Sequence, residues 1–197
     1  MSNSPLKSYI NGAWVLPATS TATVDAINPA TEEVCAVVAV CGHDDADRAV
    51  QAARAAFDSY AATTLEHRIA LVEKLITIFE RRYDEMVKAI STEMGAPYDL
   101  SYDAQAESGP GHLRATVKAV REMAWDYDVG VDGIVTHEPI GVCVLITPWN
   151  WPINQIVCKV GPALITGCTM VLKPSEMAPL SAQLFAEMVE EAGFPKG

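Results

Sequence analysis

An asparagine lies between two tryptophans and two prolines in the segment TPWNWP at 147–152. The preceding residues, 141–146, are uncharged and rich in β-branched side chains, which is typical of a strand buried on both faces. Proline biases the residue before it away from the helical region, and Pro152 suits the first turn of a helix. Asn150 is therefore expected in a stiff turn beyond a strand, where its amide either meets a ligand or caps the helix.

A second polar segment, KPSE at 173–176, follows a short predicted strand at 169–172. Lys173 offers ammonium donors, and Glu176 offers a carboxylate that can accept from both hydroxyls of a ribose and would repel a 2′-phosphate. On these grounds NAD is favoured over NADP. A local ion pair beside a helix amino terminus would explain the same two residues, and both interpretations stay open.

The elements around the two segments predict that they lie together. A mostly apolar helix is expected over 153–165, between the two strands, and a third helix is expected between Pro179 and Gly193. Strand, helix, strand and helix in this order predict a parallel sheet with a right-handed crossover. Ligands of such sheets bind beyond the carboxyl ends of the strands, so the asparagine, lysine and glutamate are expected to converge there.

The earlier part of the chain predicts a small β-meander and an extended arm. An Asn-Gly pair at 11–12 between strand formers is a hairpin signal. A second hairpin is expected around 28–31, between strands at 23–27 and 34–40. Residues 127–137, which are glycine-spaced and β-branched, predict an arm or hairpin that separates two parts of the fold.

Helices are expected between the hairpins and the arm. The alanine-rich stretch 46–57 follows Asp44 and Asp45, which can act as amino-terminal caps. Thr63 and Glu66 have the spacing of a capping box before a long helix, or a close pair of helices, that ends at a Met-Gly step.

The segment SGPG at 108–111 interrupts a helical stretch expected from 99 to about 125. Glycine-rich turns of this kind can bind phosphate. This one follows no predicted strand and lacks the lysine of a P-loop, so a helix break is favoured.

Composition excludes several classes of partner. The net charge of −11, without a basic patch, argues against nucleic acid. The uncharged stretch 140–158 has the length of a membrane span, but its two prolines and three amide side chains make a spanning helix improbable. Five cysteines without a CxxC pair, and four scattered histidines, predict neither a disulfide framework nor a metal site. A reducing cytoplasmic location is expected.

The order and spacing of TPWNWP, of GPAL at 161–164 and of VLKPSE at 171–176 resemble the NAD(P)-dependent aldehyde dehydrogenase superfamily. The resemblance covers nearly the whole chain. Its further motifs are YINGAW at 9–14, NPAT at 28–31, EMG at 93–95 and EEAGFP at 190–195.

This resemblance implies roles for individual residues. Asn150 resembles the asparagine whose amide stabilises the oxyanion formed when a thiolate attacks an aldehyde, a contribution of about 3 kcal/mol. Lys173 and Glu176 match residues that hold the adenosine ribose. The complete set implied for cofactor binding is Ile146, Thr147, Pro148, Trp149, Lys173, Ser175 and Glu176.

The resemblance also implies an α/β fold, in which an amino-terminal β-meander and helices lead into a parallel Rossmann-like βαβα unit with an incomplete sheet. Residues 1–120 would belong to the cofactor-binding domain, 121–139 would be strands of an oligomerisation arm, and 140–197 would be the first βαβα unit of the nucleotide-binding sheet.

The catalytic cysteine and glutamate belong to family motifs that would lie beyond Gly197. The chain is thus expected to be the amino-terminal part of an enzyme that oxidises a small-molecule aldehyde substrate to a carboxylic acid with NAD and assembles as a homodimer or homotetramer. A non-catalytic nucleotide-binding module and an inactive truncated fragment are the alternatives.

Overall fold

A computed structural model describes residues 4–131 and 133–197 of the chain. Its amino-terminal strands are β1 (Ser8–Ile10), β2 (Ala13–Val15), β3 (Thr23–Ile27) and β4 (Val34–Ala39). They pair as two antiparallel hairpins, which a bridge between Leu6 and Val38 connects. The first turn is formed by Asn11 and Gly12, whose φ angles of 52° and 73° are conformations that Asn and Gly adopt most readily. Both predicted hairpins are confirmed.

The first long helix, α1, spans His43–Ala61 and exceeds the predicted range at both ends. The N-cap of α1 is Gly42, and both predicted capping residues, Asp44 and Asp45, lie in the first turn. Asp45 contributes to the capping from there, because its carboxylate accepts hydrogen bonds from the backbone of Gly42 at 3.1 Å and of Ala18 at 3.0 Å. Asp44 is exposed in the first turn, where its charge faces the positive end of the helix dipole.

The next helices are α2 (Leu65–Arg81) and α3 (Tyr83–Met94), which confirms a close pair. The predicted capping box of Thr63 with Glu66 is wrong. Thr64 is the N-cap and accepts from the backbone of His67 at 3.2 Å. The hydroxyl of Thr63 instead donates to the carbonyl of Tyr60 at 2.6 Å, so Thr63 completes the end of α1 and the next threonine starts α2.

The third helical stretch comprises α4 (Tyr98–Leu100), a π-helical segment (Ser101–Ala106) and α5 (Ser108–Glu122). The break predicted at SGPG is wrong, because 108–111 form the first turn of α5 and Glu107 before them also has helical angles of φ −62° and ψ −27°. A Cβ on Gly109 would lie 2.5 Å from the Cζ atom of Phe79 on α2. Glycine is therefore needed there for close helix packing rather than for an interruption.

An antiparallel hairpin of β5 (Asp126–Asp128) and β6 (Ile134–Thr136) follows, as predicted for 127–137. Two apolar side chains of this hairpin are open to solvent: Val131 is 98% exposed and Ile134 is 74% exposed.

The carboxyl-terminal unit consists of β7 (Val142–Ile146), α6 (Pro152–Thr166), β8 (Thr169–Lys173) and α7 (Pro179–Ala192). The two strands are parallel, so the predicted α/β class and its βαβα order are confirmed. The expectation that β7 is buried on both faces is wrong. Val144 and Ile146 are 62% and 66% exposed, because α1 and α6 contact the strand and no described element covers these two side chains.

The core lies among the helices rather than between sheets. Helices α2, α3, α5, α6 and α7 share one apolar cluster against which Leu145 and Leu172 of the parallel strands pack. Its largest fully buried side chains include Phe79, Phe185, Leu75, Met86, Ile90, Leu113, Ile156 and Met188. Each such side chain contributes about 1.5–3 kcal/mol by leaving water, so the helical layer anchors the two strands from one side. No helix in the described residues is long and apolar enough to cross a membrane.

Candidate functional site

The two motif segments leave the parallel sheet side by side. Ile146, the last residue of β7, is paired with Lys173, the last residue of β8. The backbone N–H of Thr147 then donates to the carbonyl of Lys173 at 3.3 Å, which extends the ladder by one step. TPWNWP and KPSE therefore begin at neighbouring points on the carboxyl edge, where ligands of parallel sheets bind.

Asn150 lies in the turn between β7 and α6, and its side chain is exposed. The N-cap residue of α6 is Trp151, which makes no side-chain capping bond, and proline follows it at the start of the helix. Within the described residues the amide of Asn150 makes no hydrogen bond to the protein. The alternative that Asn150 caps the helix therefore finds no support, and its amide is open to solvent.

The rest of the first segment combines a buried anchor with an exposed apolar surface. Thr147 is buried, while Pro148 is exposed and Trp149 is about half exposed. Together with the side chain of Ile146, they form an apolar surface beside the strand end. A planar or apolar part of a ligand could lie against it.

In the second segment, the Nζ atom of Lys173 lies 3.1 Å from Oε2 of Glu176. The ion pair proposed as the local alternative is thus present. It does not preclude ligand binding, because the two side chains are 60% and 54% exposed and such pairs contribute about 1 kcal/mol or less. The backbone N–H of Glu176 and the nearby ammonium of Lys173 lower the pKa of the Glu176 carboxyl, which is therefore ionised at neutral pH.

Ser175 has a different position from its neighbours. Its hydroxyl oxygen accepts a hydrogen bond from the backbone of Met177 at 3.2 Å, and its carbonyl accepts from Ala178 at 3.2 Å. Ser175 therefore organises the turn that carries Glu176.

One contact near the site was not predicted from the sequence. Nδ2 of Asn154, in the first turn of α6, lies 2.9 Å from Nε2 of His112 on α5. Since an amide nitrogen only donates, Nε2 of His112 is the acceptor in this contact. The bond ties the first turn of α6, the helix that follows Asn150, to α5. No local pattern could have indicated a partner 42 residues away.

None of the described groups forms a metal site, since no cluster of three or more His, Cys, Asp or Glu side chains is arranged to hold an ion. Burial raises the pKa of the thiols of Cys35 and Cys143, which is the opposite of what a nucleophile requires. Cys168 is buried.

Known proteins share both the sequence and the arrangement of these elements. Residues 14–197 match the model of the aldehyde dehydrogenase family. The chain is 46% identical over 190 residues to a 3-succinoylsemialdehyde-pyridine dehydrogenase of a Pseudomonas species and 42% identical over 191 residues to a putative aldehyde dehydrogenase of Staphylococcus aureus. These alignments cover 96% and 97% of this chain. The chain belongs to the aldehyde dehydrogenase family.

Solved structures agree with this assignment. An aldehyde dehydrogenase from Bartonella henselae superposes with a TM-score of 0.94 at 47% identity and covers 98% of this chain. A mutant aldehyde dehydrogenase C from Pseudomonas syringae, in complex with NAD+ and octanal, superposes with a TM-score of 0.92 at 44% identity and covers 97% of this chain. The chain spans 41% and 39% of those two structures, and 39% and 40% of the two relatives above.

Proposed function

We propose that the protein containing these residues oxidises aldehydes to carboxylic acids with NAD as electron acceptor. In this proposal, the segment described above supplies an oxyanion donor and part of the cofactor site. The observation that carries the proposal is the amide of Asn150, which is exposed in a turn at the carboxyl edge of a parallel sheet and has no hydrogen bond within the described residues.

Asn150 would act on the carbonyl oxygen of the substrate. When a thiolate adds to the aldehyde carbon, negative charge develops on that oxygen, and an amide N–H already aimed at it stabilises the charge. Pro148 and Pro152 restrict the turn, so little reorganisation is needed at the moment of reaction. One such donor contributes about 3 kcal/mol, or a factor of about 10²–10³ in rate. The thiolate and the carboxylate that activates water are proposed to come from residues outside these 197.

The second segment fits the adenosine end of NAD. Lys173 presents donors and Glu176 presents an ionised acceptor, and both are accessible at the strand end. These two residues would hold the ribose hydroxyls, while 146–149 would line the cleft beside them. Ser175 would keep the turn in place. When bound, NAD supplies the electron acceptor for the oxidation.

NAD is proposed over NADP because of the charge on Glu176. A 2′-phosphate at the ribose would face this carboxylate, and the repulsion would be only partly offset by Lys173. The lowered pKa keeps the carboxylate charged at neutral pH, where the repulsion would therefore act.

The substrate is proposed only as a class, a small-molecule aldehyde. The relative from Pseudomonas is named for a semialdehyde, and the structure from Pseudomonas syringae contains octanal, which supports an aldehyde but selects none.

The domain boundaries and the assembly are proposals as well. Residues 1–120 and 140–197 would form the cofactor-binding part, and 121–139 would form an oligomerisation arm. The exposed apolar side chains of Val131 and Ile134 on the β5–β6 hairpin support a homodimer or homotetramer. The net charge of −11 supports the absence of nucleic acid among its partners. A cytoplasmic location without membrane association stays a prediction.

The experiment that tests the proposed function uses the longest natural polypeptide that contains this sequence. Purified protein is incubated with NAD and a panel of aliphatic and aromatic aldehydes, and NADH is followed by absorbance while the acid product is identified by mass spectrometry. Aldehyde-dependent formation of both products is expected. Binding of NAD without turnover of any aldehyde would instead support a nucleotide-binding module, and absence of both would support an inactive fragment.

A further inference from the structure

The amino terminus of α7 is capped by a side chain from a distant part of the chain. Its N-cap residue, Ala178, has no side chain that could accept a hydrogen bond. The carboxylate of Glu93, near the end of α3, accepts instead from the backbone of Ser181 at 3.1 Å and from the backbone of Leu180. Glu93 is only 3% exposed and precedes Leu180 by 87 residues.

The capped end lies next to the candidate cofactor residues. Only the five residues 174–178 connect the end of β8 to the start of α7, and Glu176 lies in the middle of them. On the strand side this connection is fixed by the β7–β8 ladder. On the helix side it is fixed by the carboxylate of Glu93. The position of Glu176 relative to the sheet therefore depends on both anchors.

The ion pair of Lys173 with Glu176 cannot by itself fix the position of Glu176 relative to the sheet. Both side chains are more than half exposed, and exposed ion pairs hold geometry weakly. A binding group requires support from neighbouring buried bonds to keep its geometry. The buried carboxyl group of Glu93, which reaches from α3 to the first turn of α7, is such a support.

From these contacts we infer that Glu93 is a positioning residue for the cofactor site: by fixing the start of α7, it holds Glu176 where the ribose hydroxyls of NAD bind. The inference rests on the proposed function. Glu93 touches neither substrate nor cofactor and acts only through the backbone of α7. Loss of its cap displaces the connection and weakens NAD binding rather than the chemical step.

The test is a double-mutant cycle on NAD affinity in the complete natural polypeptide. Glu93→Gln keeps one acceptor oxygen but turns a donor toward the second N–H, so the cap is half lost. Glu93→Asp keeps the carboxyl group with a shorter reach and is a milder second variant. Kd for NAD is measured by calorimetry, well below the melting temperature, for both variants, for Glu176→Ala and for the double variant Glu93→Gln with Glu176→Ala.

Thr64→Ala is the matched control. Thr64 caps α2 through the backbone of His67. The adjacent Arg68 donates a hydrogen bond from Nε to the carbonyl of Ile165, near the end of α6. Since α6 leads from there into the amino end of β8, this cap lies at the opposite edge of the sheet from the candidate site. Its loss lowers the melting temperature without displacing Glu176.

Glu176→Ala is expected to raise Kd by about tenfold, the usual scale for a charged hydrogen bond. Glu93→Gln is expected to raise it by a similar factor with kcat at saturating NAD nearly unchanged, and the double variant is expected to be no worse than Glu176→Ala alone. An unchanged Kd in Glu176→Ala would overturn the proposed ribose role and the inference with it. The inference alone is overturned if Glu93→Gln binds NAD normally, if its effect persists in the Glu176→Ala background, or if Thr64→Ala weakens NAD equally.

Discussion

Ile146 and Lys173 are paired residues at the ends of two parallel strands, and the chain turns out of the sheet immediately after each of them. This pairing places two polar segments, separated by a whole helix in sequence, on the same edge. The amide of Asn150 follows one strand, and the ion pair of Lys173 with Glu176 follows the other at 3.1 Å.

The choice between NAD and NADP is expected to depend on Glu176. Glu176→Gln removes the negative charge that faces a 2′-phosphate but keeps the length of the side chain. The ratio of kcat/KM for NAD to that for NADP is expected to fall by about tenfold, which corresponds to about 1.4 kcal/mol. Steady-state kinetics with each cofactor measure this ratio.

Glu191→Gln provides the control for this experiment. Glu191 is also an exposed, ion-paired carboxylate, 2.6 Å from Arg81, but it lies at the other end of α7. Its variant is expected to keep the wild-type ratio. An unchanged ratio in Glu176→Gln would contradict the role of this carboxylate in cofactor selection.

The buried carboxyl of Glu93 is expected to make stability depend on pH. Burial raises its pKa to about 7, although hydrogen bonds from Ser181 and Leu180 act in the opposite direction. Because the folded state holds this proton more tightly than the unfolded chain, the stabilisation is complete below about pH 4.5. As the pH rises through about 7, the free energy of unfolding is expected to fall by up to about 3 kcal/mol.

Melting temperatures of the wild type and Glu93→Gln, measured from about pH 5 to about pH 8, test this dependence. The advantage of the wild type is expected to shrink as the pH rises, since glutamine does not titrate. The thiol of Cys35 also faces Glu93, and its own pKa is raised by burial and by that charge. Cys35→Ala is therefore expected to keep the same trend. If the difference in melting temperature between the wild type and Glu93→Gln stays constant with pH, the pH dependence does not come from Glu93.

The two glycines of the SGPG segment are expected to respond differently to alanine. A Cβ at position 109 would lie 2.5 Å from the ring of Phe79, which is fully buried and cannot move aside, whereas a Cβ at Gly111 would meet nothing within 4 Å. Gly109→Ala is expected to destabilise the protein by about 1–3 kcal/mol through overpacking. Gly111→Ala is expected to be neutral or stabilising by up to about 1 kcal/mol. Thermal or urea unfolding compares the two, and equal effects would contradict the packing role of Gly109.

Local signals in the sequence were sufficient for the hairpins and the βαβα unit. The first hairpin turn depends only on the positive φ angles that Asn11 and Gly12 themselves adopt. The parallel pairing of β7 with β8 follows from the order of the elements and from the apolar helix between them. The capping box at Thr63 failed for a reason that is also local, because two adjacent threonines competed and the end of α1 used the first of them.

Features that depend on distant parts of the chain were not predictable. The cap of Glu93 on α7 and the bond between His112 and Asn154 join elements whose spacing in sequence carries no periodic signal. The exposure of Val144 and Ile146 depends on what covers the outer face of the strand, which the apolar run of β7 does not specify. The oxyanion role of Asn150 came from the resemblance to a family, whereas the chemistry of Lys173 and Glu176 also indicated a ribose. All three roles stay predictions.

The central claim is that the amide of Asn150 stabilises an oxyanion. Asn150→Ala, made in the complete natural polypeptide and assayed with saturating NAD and an aldehyde substrate, is expected to lower kcat by about 10²–10³ while Kd for NAD stays within about twofold of the wild type. Asn28→Ala is the control, since the side chain of Asn28 only supports a turn through the backbone of Ala30 at 2.8 Å. A kcat for Asn150→Ala within about twofold of both the wild type and this control would contradict the claim.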